Sequence, residues 1–310
     1  MHLLPAHRYQ FNCRVLQALN LNLYSGSMLR GAFGRALRKS VCVTRGEDCK
    51  ACLLYRQCIY PKIFETPPPP NSSFQVFSQI PNAFVIEPPP MGRQQLLPGD
   101  LFSFNLVLIG RAVDDLPFVI HAWEMALKAG LGSGHAHAEL LDIVFEPSQT
   151  VAQVIYPAGG ENRLLPRPTF IPEPLAATAS LCLQLQTPLR IKHHGKVLSS
   201  ALRGKDFLMA LVRRYYWLQE FHTLDYQAPD FKAFAEQAED IHASHQLYWC
   251  QWERYSQRQQ QKMTFGGVMG TLQLNGDLTP FLPLLQLGQW LHVGNKTTFG
   301  MGRYTIIPTT

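Results

Sequence analysis

The run Leu291-His292-Val293-Gly294-Asn295-Lys296-Thr297-Thr298-Phe299-Gly300-Met301-Gly302-Arg303-Tyr304 holds three glycines, two cations, one histidine and two aromatic rings in one stretch. Glycine lets a backbone approach a ligand closely and take up φ > 0. Lysine and arginine supply charge for phosphates, and rings such as Phe299 supply stacking faces for unpaired bases. An imidazole shuttles protons near neutral pH, and an ammonium stabilises a crowded phosphate. His292 and Lys296 flank Gly294 and are the pair best placed for such chemistry, with Arg303 as a further phosphate contact. The competing reading of His292 is structural: it packs at a helix end and bonds a backbone carbonyl.

Four further clusters carry chemical potential. Cys42, Cys49, Cys52 and Cys58 are separated by six, two and five residues. A Cys-x-x-Cys flanked by two more cysteines suits a tetrahedral structural zinc ahead of an iron–sulfur cluster, and four thiolates leave no position for a catalytic water. The alternative is four free, partly buried thiols. Arg30, Arg35, Arg38 and Lys39 spread over one helix beside Tyr24 and Ser25, as a solvated exterior or a phosphate-contacting face. Arg190 and Lys192 alternate onto one face after a strand, with His193, His194 and Lys196 in the next turn. They read as a clamp on backbone phosphate or as an ordinary basic turn, and Arg203 and Lys205 extend the patch. His135 and His137 share a face at a strand entrance, where nucleic-acid contact or plain structure outweighs a metal pair without a third ligand.

These residues need elements to position them, and the sequence supplies the same set twice. His7 to Leu16 reads as a strand, and Ser27 to Ser40 as a helix capped by Ser25 or Ser27. Ala83 to Glu87 and Leu101 to Gly110 read as strands, Asp115 to Ala129 as a helix ended by Gly130, and Glu139 to Phe145 as a strand. A second glycine loop, Gly130 to His137, lies between that helix and strand. In the second half Ser180 to Gln186 reads as a strand, and Asp206 to Thr223 as a helix with an apolar stripe through Phe207, Leu211, Tyr215 and Leu218. Trp252 to Gln260 and Met263 to Leu274 read as a hairpin, Leu278 to Trp290 as a helix, and the chain closes on a strand. Tyr226 to Gln246 reads as a polar, helix-prone insertion.

The expected fold class is therefore α+β, with two tandem ferredoxin-like (βαββαβ) domains. Residues 1–155 form the first, carrying the Cys-rich insertion 42–60; 156–174 form a linker; 175–310 form the second, with the glycine-rich loop 292–304. Over 310 residues the net charge of +6 favours an anionic partner. No apolar run reaches the length of a membrane span, no secretory leader is evident, and seven cysteines suit a reducing compartment, so a cytoplasmic location is expected. A nucleotide-binding loop, a nucleophile elbow and a carboxylate pair for two-metal work are all missing from the motifs, so no nucleotide cofactor is expected.

Much of the chain resembles the CRISPR-associated repeat-processing endoribonucleases of the RAMP superfamily. The resemblance runs through Gly26-Ser27-Met28-Leu29-Arg30-Gly31-Ala32-Phe33-Gly34, Thr187-Pro188-Leu189-Arg190, Trp252 to Gln259, Gly266-Gly267-Val268-Met269-Gly270, and most specifically His292-Val293-Gly294 with Phe299 to Tyr304. It implies paired ferredoxin-like, RRM-like domains that bind CRISPR repeat RNA and cut it without a catalytic metal or cofactor. The ribose 2′-OH would attack the adjacent phosphate, giving a 2′,3′-cyclic phosphate. On that reading His292 transfers a proton, Lys296 and Arg30 stabilise charge, and Tyr24 is the reserve proton donor. Many relatives place a histidine on or beside the first helix, but between His7 and His121 this chain has none. The rival expectation is a catalytically inactive repeat-RNA-binding subunit, and in either case a CRISPR effector complex is the further expected partner.

Overall fold

Alternating side chains build the first sheet. In β1 (Ala6–Val15), Tyr9, Phe11, Cys13 and Val15 are buried, while Gln10, Asn12 and Arg14 face the other way. Arg14 pairs with Glu139 at 3.0 Å and Asn12 donates to Asp142 at 2.6 Å, so the polar face also fixes the register. The computed structural model describes residues 4–67, 80–147, 152–157, 164, 175–193, 195–198, 202–256 and 261–307, with backbone alone at 254–256 and 261–263. The expected linker lies almost wholly outside these residues, as do His194 and the tip of the long hairpin.

The chain groups into two units. One is Met1–Ile171 with Trp217–Tyr226, the other Pro172–Tyr216 with Gln227–Thr310. The first contains β1, β2 (Leu19–Leu21), α1 (Gly26–Val41), α2 (Ile59–Phe64), β3 (Phe84–Glu87), β4 (Gln94–Leu96), β5 (Leu101–Ile109), α3 (Leu116–Ala129), β6 (Ala138–Glu146) and β7 (Gln153–Tyr156). Its main sheet is ordered β3-β5-β1-β6-β7, antiparallel throughout. Without the added β7, that is the second-third-first-fourth order of a ferredoxin-like unit. In α1 the buried positions Leu29, Ala32, Phe33, Ala36 and Leu37 recur at helical spacing. Phe33 stacks on Trp123 of α3 at 5.2 Å, which locks the two helices together. Gly34 is required there, since a Cβ would lie 2.3 Å from the Phe64 ring of α2.

The second unit repeats the plan with β8 (Ser180–Leu189), a small hairpin of β9 (Lys192–His193) and β10 (Lys196–Val197), α4 (Gly204–His222, whose last turns belong to the first unit), α5 (Phe231–Glu239), β11 (His242–Ser256), β12 (Gln261–Asn275), α6 (Leu282–Leu291) and β13 (Tyr304–Ile307). Its sheet is ordered β11-β12-β8-β13, again antiparallel. The stripe expected on α4 is its buried face: Phe207, Leu211, Tyr215 and Leu218 are fully covered.

One expectation needs redrawing. The stretch taken as a helix-prone insertion is helical only over α5, and from His242 it is already strand β11. His242, Ser244 and Gln246 alternate with Ala243, His245 and Leu247, a strand period that the high polarity obscures. Among the described residues no helix is long and apolar enough to cross a membrane.

Candidate nucleic-acid interface

The closing loop is stitched to the end of β8. The Val293 N–H donates to the Gly302 carbonyl at 3.0 Å, and the Gly302 N–H to the Pro188 carbonyl at 3.1 Å. The Thr187 hydroxyl donates to the Gly300 carbonyl (2.7 Å) and accepts from the Arg303 N–H (2.9 Å). The Asn295 N–H donates to the Arg190 carbonyl at 2.7 Å. Two glycines exist for this stitching: a Cβ on Gly302 would sit 1.9 Å from the Val293 carbonyl oxygen, and one on Gly294 2.5 Å from that of Arg190. Both have positive φ, 77° and 84°. The first unit uses the same device, because a Cβ on Gly130 would meet the His135 carbonyl oxygen at 2.3 Å.

His292 is fully buried. Its Nδ1 lies 3.1 Å from the Met301 carbonyl, which can only accept, so Nδ1 carries the proton. Its backbone takes φ 59° and ψ 166°, a region nearly reserved for glycine, and its N–H closes the last turn of α6 on the Gly288 carbonyl. These contacts are those of the structural reading, a histidine packed at a helix end on a backbone carbonyl, and no part of the ring is exposed. Arg214, buried behind it, donates from Nε to the Leu291 carbonyl at 3.0 Å and caps the same helix end.

Lys296 keeps a surface position. It is half-buried, with φ 67°, and its Nζ stands 5.9 Å from the centre of the Phe299 ring. A left-handed backbone costs a non-glycine residue about 1–2 kcal/mol, so the loop holds a lysine where glycine would be less strained. Phe299 also meets Phe265 at 6.1 Å, and Arg303, close after Phe299 in sequence, is half-buried. Lys192, His193 and Lys196 are exposed on the β9–β10 hairpin. Arg190 differs from the clamp expected: half-buried, it donates from Nη1 to the Gly266 carbonyl at 2.9 Å, and burial pulls its pKa down. Arg203 is held by Asp206 through two bonds of 3.0 Å, which limits its part in a basic patch.

In the first unit, Tyr24 is buried and Arg30 lies over the Phe64 ring at 4.2 Å. Arg35 is exposed, as are His135 and His137. Arg38 donates to the Gly46 and Glu47 carbonyls at 2.7 and 2.5 Å, so it pins the turn after α1.

The zinc expectation finds no support in the placement of the four thiols. Cys42, Cys49, Cys52 and Cys58 do line one cavity, but among the described residues no group of three or more His, Cys, Asp or Glu side chains is placed to hold a metal ion. Cys42 and Cys52 share the Thr44 hydroxyl, at 4.0 and 3.5 Å, and that bond lowers the pKa of Cys52, while burial raises that of Cys49. Sequence reasoning missed Thr187, which joins strand to loop, and Trp249. The signal for Trp249 was there, a tryptophan in an alternating polar run, but it adjoins the run misread as insertion.

Comparison with known proteins bears on both units. The family model of the AF_1859_N N-terminal domain matches residues 4–169, and that of the CRISPR-associated endoribonuclease Cas6 matches residues 183–304. An uncharacterized protein of Archaeoglobus fulgidus is 24% identical over 289 residues, 91% of each chain. Among solved structures a Cas6 product complex aligns with a TM-score of 0.60 at 16% identity, covering 98% of this chain and all of that one. Thermus thermophilus Cas6 aligns at 0.55 with 13% identity, over 99% of this chain and all of that one. The product of a Cas6-related gene from Pyrococcus furiosus aligns at 0.53 with 10% identity and the same coverage. The structural likenesses establish the tandem ferredoxin-like fold; by the model that spans more than half its length the chain belongs to the AF_1859_N family, and its residues 183–304 match the CRISPR-associated endoribonuclease Cas6.

Proposed function

We propose that this protein is an endoribonuclease that cuts CRISPR repeat RNA by metal-independent attack of the ribose 2′-OH, leaving a 2′,3′-cyclic phosphate and a free 5′-OH. The observation that carries this reading is Lys296, a lysine held in a left-handed backbone by a loop whose other strained positions are glycine or a buried histidine. Strain of that kind persists where surroundings enforce it, and it gathers at functional sites. The Lys296 ammonium would stabilise the pentavalent phosphate, with Arg303 and Phe299 contacting the strand. Arg30, Arg35, His135 and His137 of the first unit would contribute further phosphate contacts. With His292 sealed, rate enhancement rests mainly on charge and on holding the cut nucleotide in line.

The test is incubation of the purified protein with its host's repeat RNA in EDTA. One specific cut is expected, with no equivalent cut in a scrambled RNA of the same composition. A requirement for added magnesium would overturn the mechanism, and equal binding of both RNAs would mark a general single-strand binder. The β9–β10 hairpin gives a second check. Replacing Lys192 and Lys196 by alanine should flatten the salt dependence of binding by about 0.7 in slope for each lost phosphate contact. An unchanged slope would remove the hairpin from the interface.

A further inference from the structure

We infer that Trp249 is a stacking platform for one unpaired nucleobase of the RNA, a step that rests on the RNA-processing reading above. Trp123 is 0% exposed, Trp290 1% and Trp252 7%, Trp217 is half-buried, and Trp249 is the most exposed of the five tryptophans at 44%. It is also fixed in place. A Cβ on Gly266 would lie 2.4 Å from Cζ2, 2.8 Å from Cε2 and 3.1 Å from Nε1 of the indole, so the ring rests against bare backbone that any larger residue would push aside. Nε1 donates to the Gln251 side-chain oxygen at 3.2 Å, which restrains the ring's rotation.

The same patch of backbone is gripped by a cation. Arg190 donates to the Gly266 carbonyl at 2.9 Å, and its own carbonyl accepts from Asn295, the residue before Lys296. The indole and the Arg190 guanidinium thus meet at Gly266, and the Arg190 carbonyl ties down the loop that carries Lys296, all within the second unit. The exposed Lys192 and Lys196 follow Arg190 in the chain. An exposed, restrained ring whose supporting backbone also holds the Arg190 guanidinium matches what a splayed single strand offers: a base with a π-face, joined to phosphates. Immobility matters because a ring already held loses little further freedom when a base lands on it.

The experiment measures repeat-RNA affinity and single-turnover cleavage for the wild type, Trp249→Ala and Trp249→Phe, using intact RNA and a series with one abasic site at each position. Trp249→Ala should bind intact RNA roughly 5- to 150-fold more weakly, and Trp249→Phe should recover most of the loss. One abasic RNA should bind the wild type more weakly, by a similar factor, yet bind Trp249→Ala no worse than intact RNA does. If Trp249→Ala does not fold, Trp249→Leu, which keeps bulk without an aromatic face, replaces it in the cycle. Wild type that binds and cuts the RNA while every Trp249 variant matches it on every RNA would overturn the stacking role and leave the proposed function standing. Wild type that does not bind repeat RNA at all would overturn both.

Discussion

Substituting Lys296 by glycine is expected to leave the fold intact and slow single-turnover cleavage by roughly 10²- to 10³-fold, the effect of removing one preorganised charge-stabilising donor. Glycine is the informative replacement because the backbone at 296 has φ 67°. Glycine adopts that conformation readily, so the ammonium is lost without new strain, and thermal stability should hold or rise by about 1 kcal/mol. RNA affinity should also fall, since the ammonium attracts the ground-state phosphate as well as the transition state. A variant that cuts at the wild-type rate while melting as predicted would show that Lys296 is strained for architecture alone.

Replacing Gly302 by alanine should have the opposite signature, with stability lost first. The new methyl would sit 1.9 Å from the Val293 carbonyl oxygen on a backbone of φ 77°. The left-handed conformation alone costs roughly 1–2 kcal/mol. The clash is with backbone rather than a side chain that can swing away, so the total should reach about 3 kcal/mol or more. That corresponds to a melting point lower by roughly 6–12 °C. Gly134→Ala is the control, because a Cβ there meets nothing within 4 Å. Thermal melts of the two variants decide it: equal melting points would mean that the loop yields to the methyl group and is not stitched as described.

The duplicated fold could be read from the residues because its signals are local. Apolar spacing marks α1 and α4, alternation marks β1 and β8, and Gly130 ends α3 with φ 95°. What the glycines of the closing loop are for was not legible. Their partners, the Val293 and Arg190 carbonyls, depend on how the loop folds back on β8. The same limit applies to His292, whose burial is set by packing at the end of α6, and to Arg38, whose carbonyl partners lie on a turn eight and nine residues away. Cysteine spacing suggested a metal, but spacing does not fix where thiols point. By contrast the Arg203–Asp206 pair sits three residues apart and was accessible from sequence. Trp249 was missed for a different reason: polar residues on both faces of the first half of β11 hid its strand period.

The central claim is that the RNA supplies its own nucleophile. The most direct test is single-turnover cleavage, in EDTA, of a repeat RNA carrying one 2′-deoxy sugar just upstream of the cut, beside the unmodified RNA. The account predicts that the modified RNA binds as tightly and is not cut, and that the unmodified upstream product resists poly(A) tailing until its cyclic end is opened. Cleavage of the deoxy substrate, or an upstream product with a free 3′-OH, would contradict it.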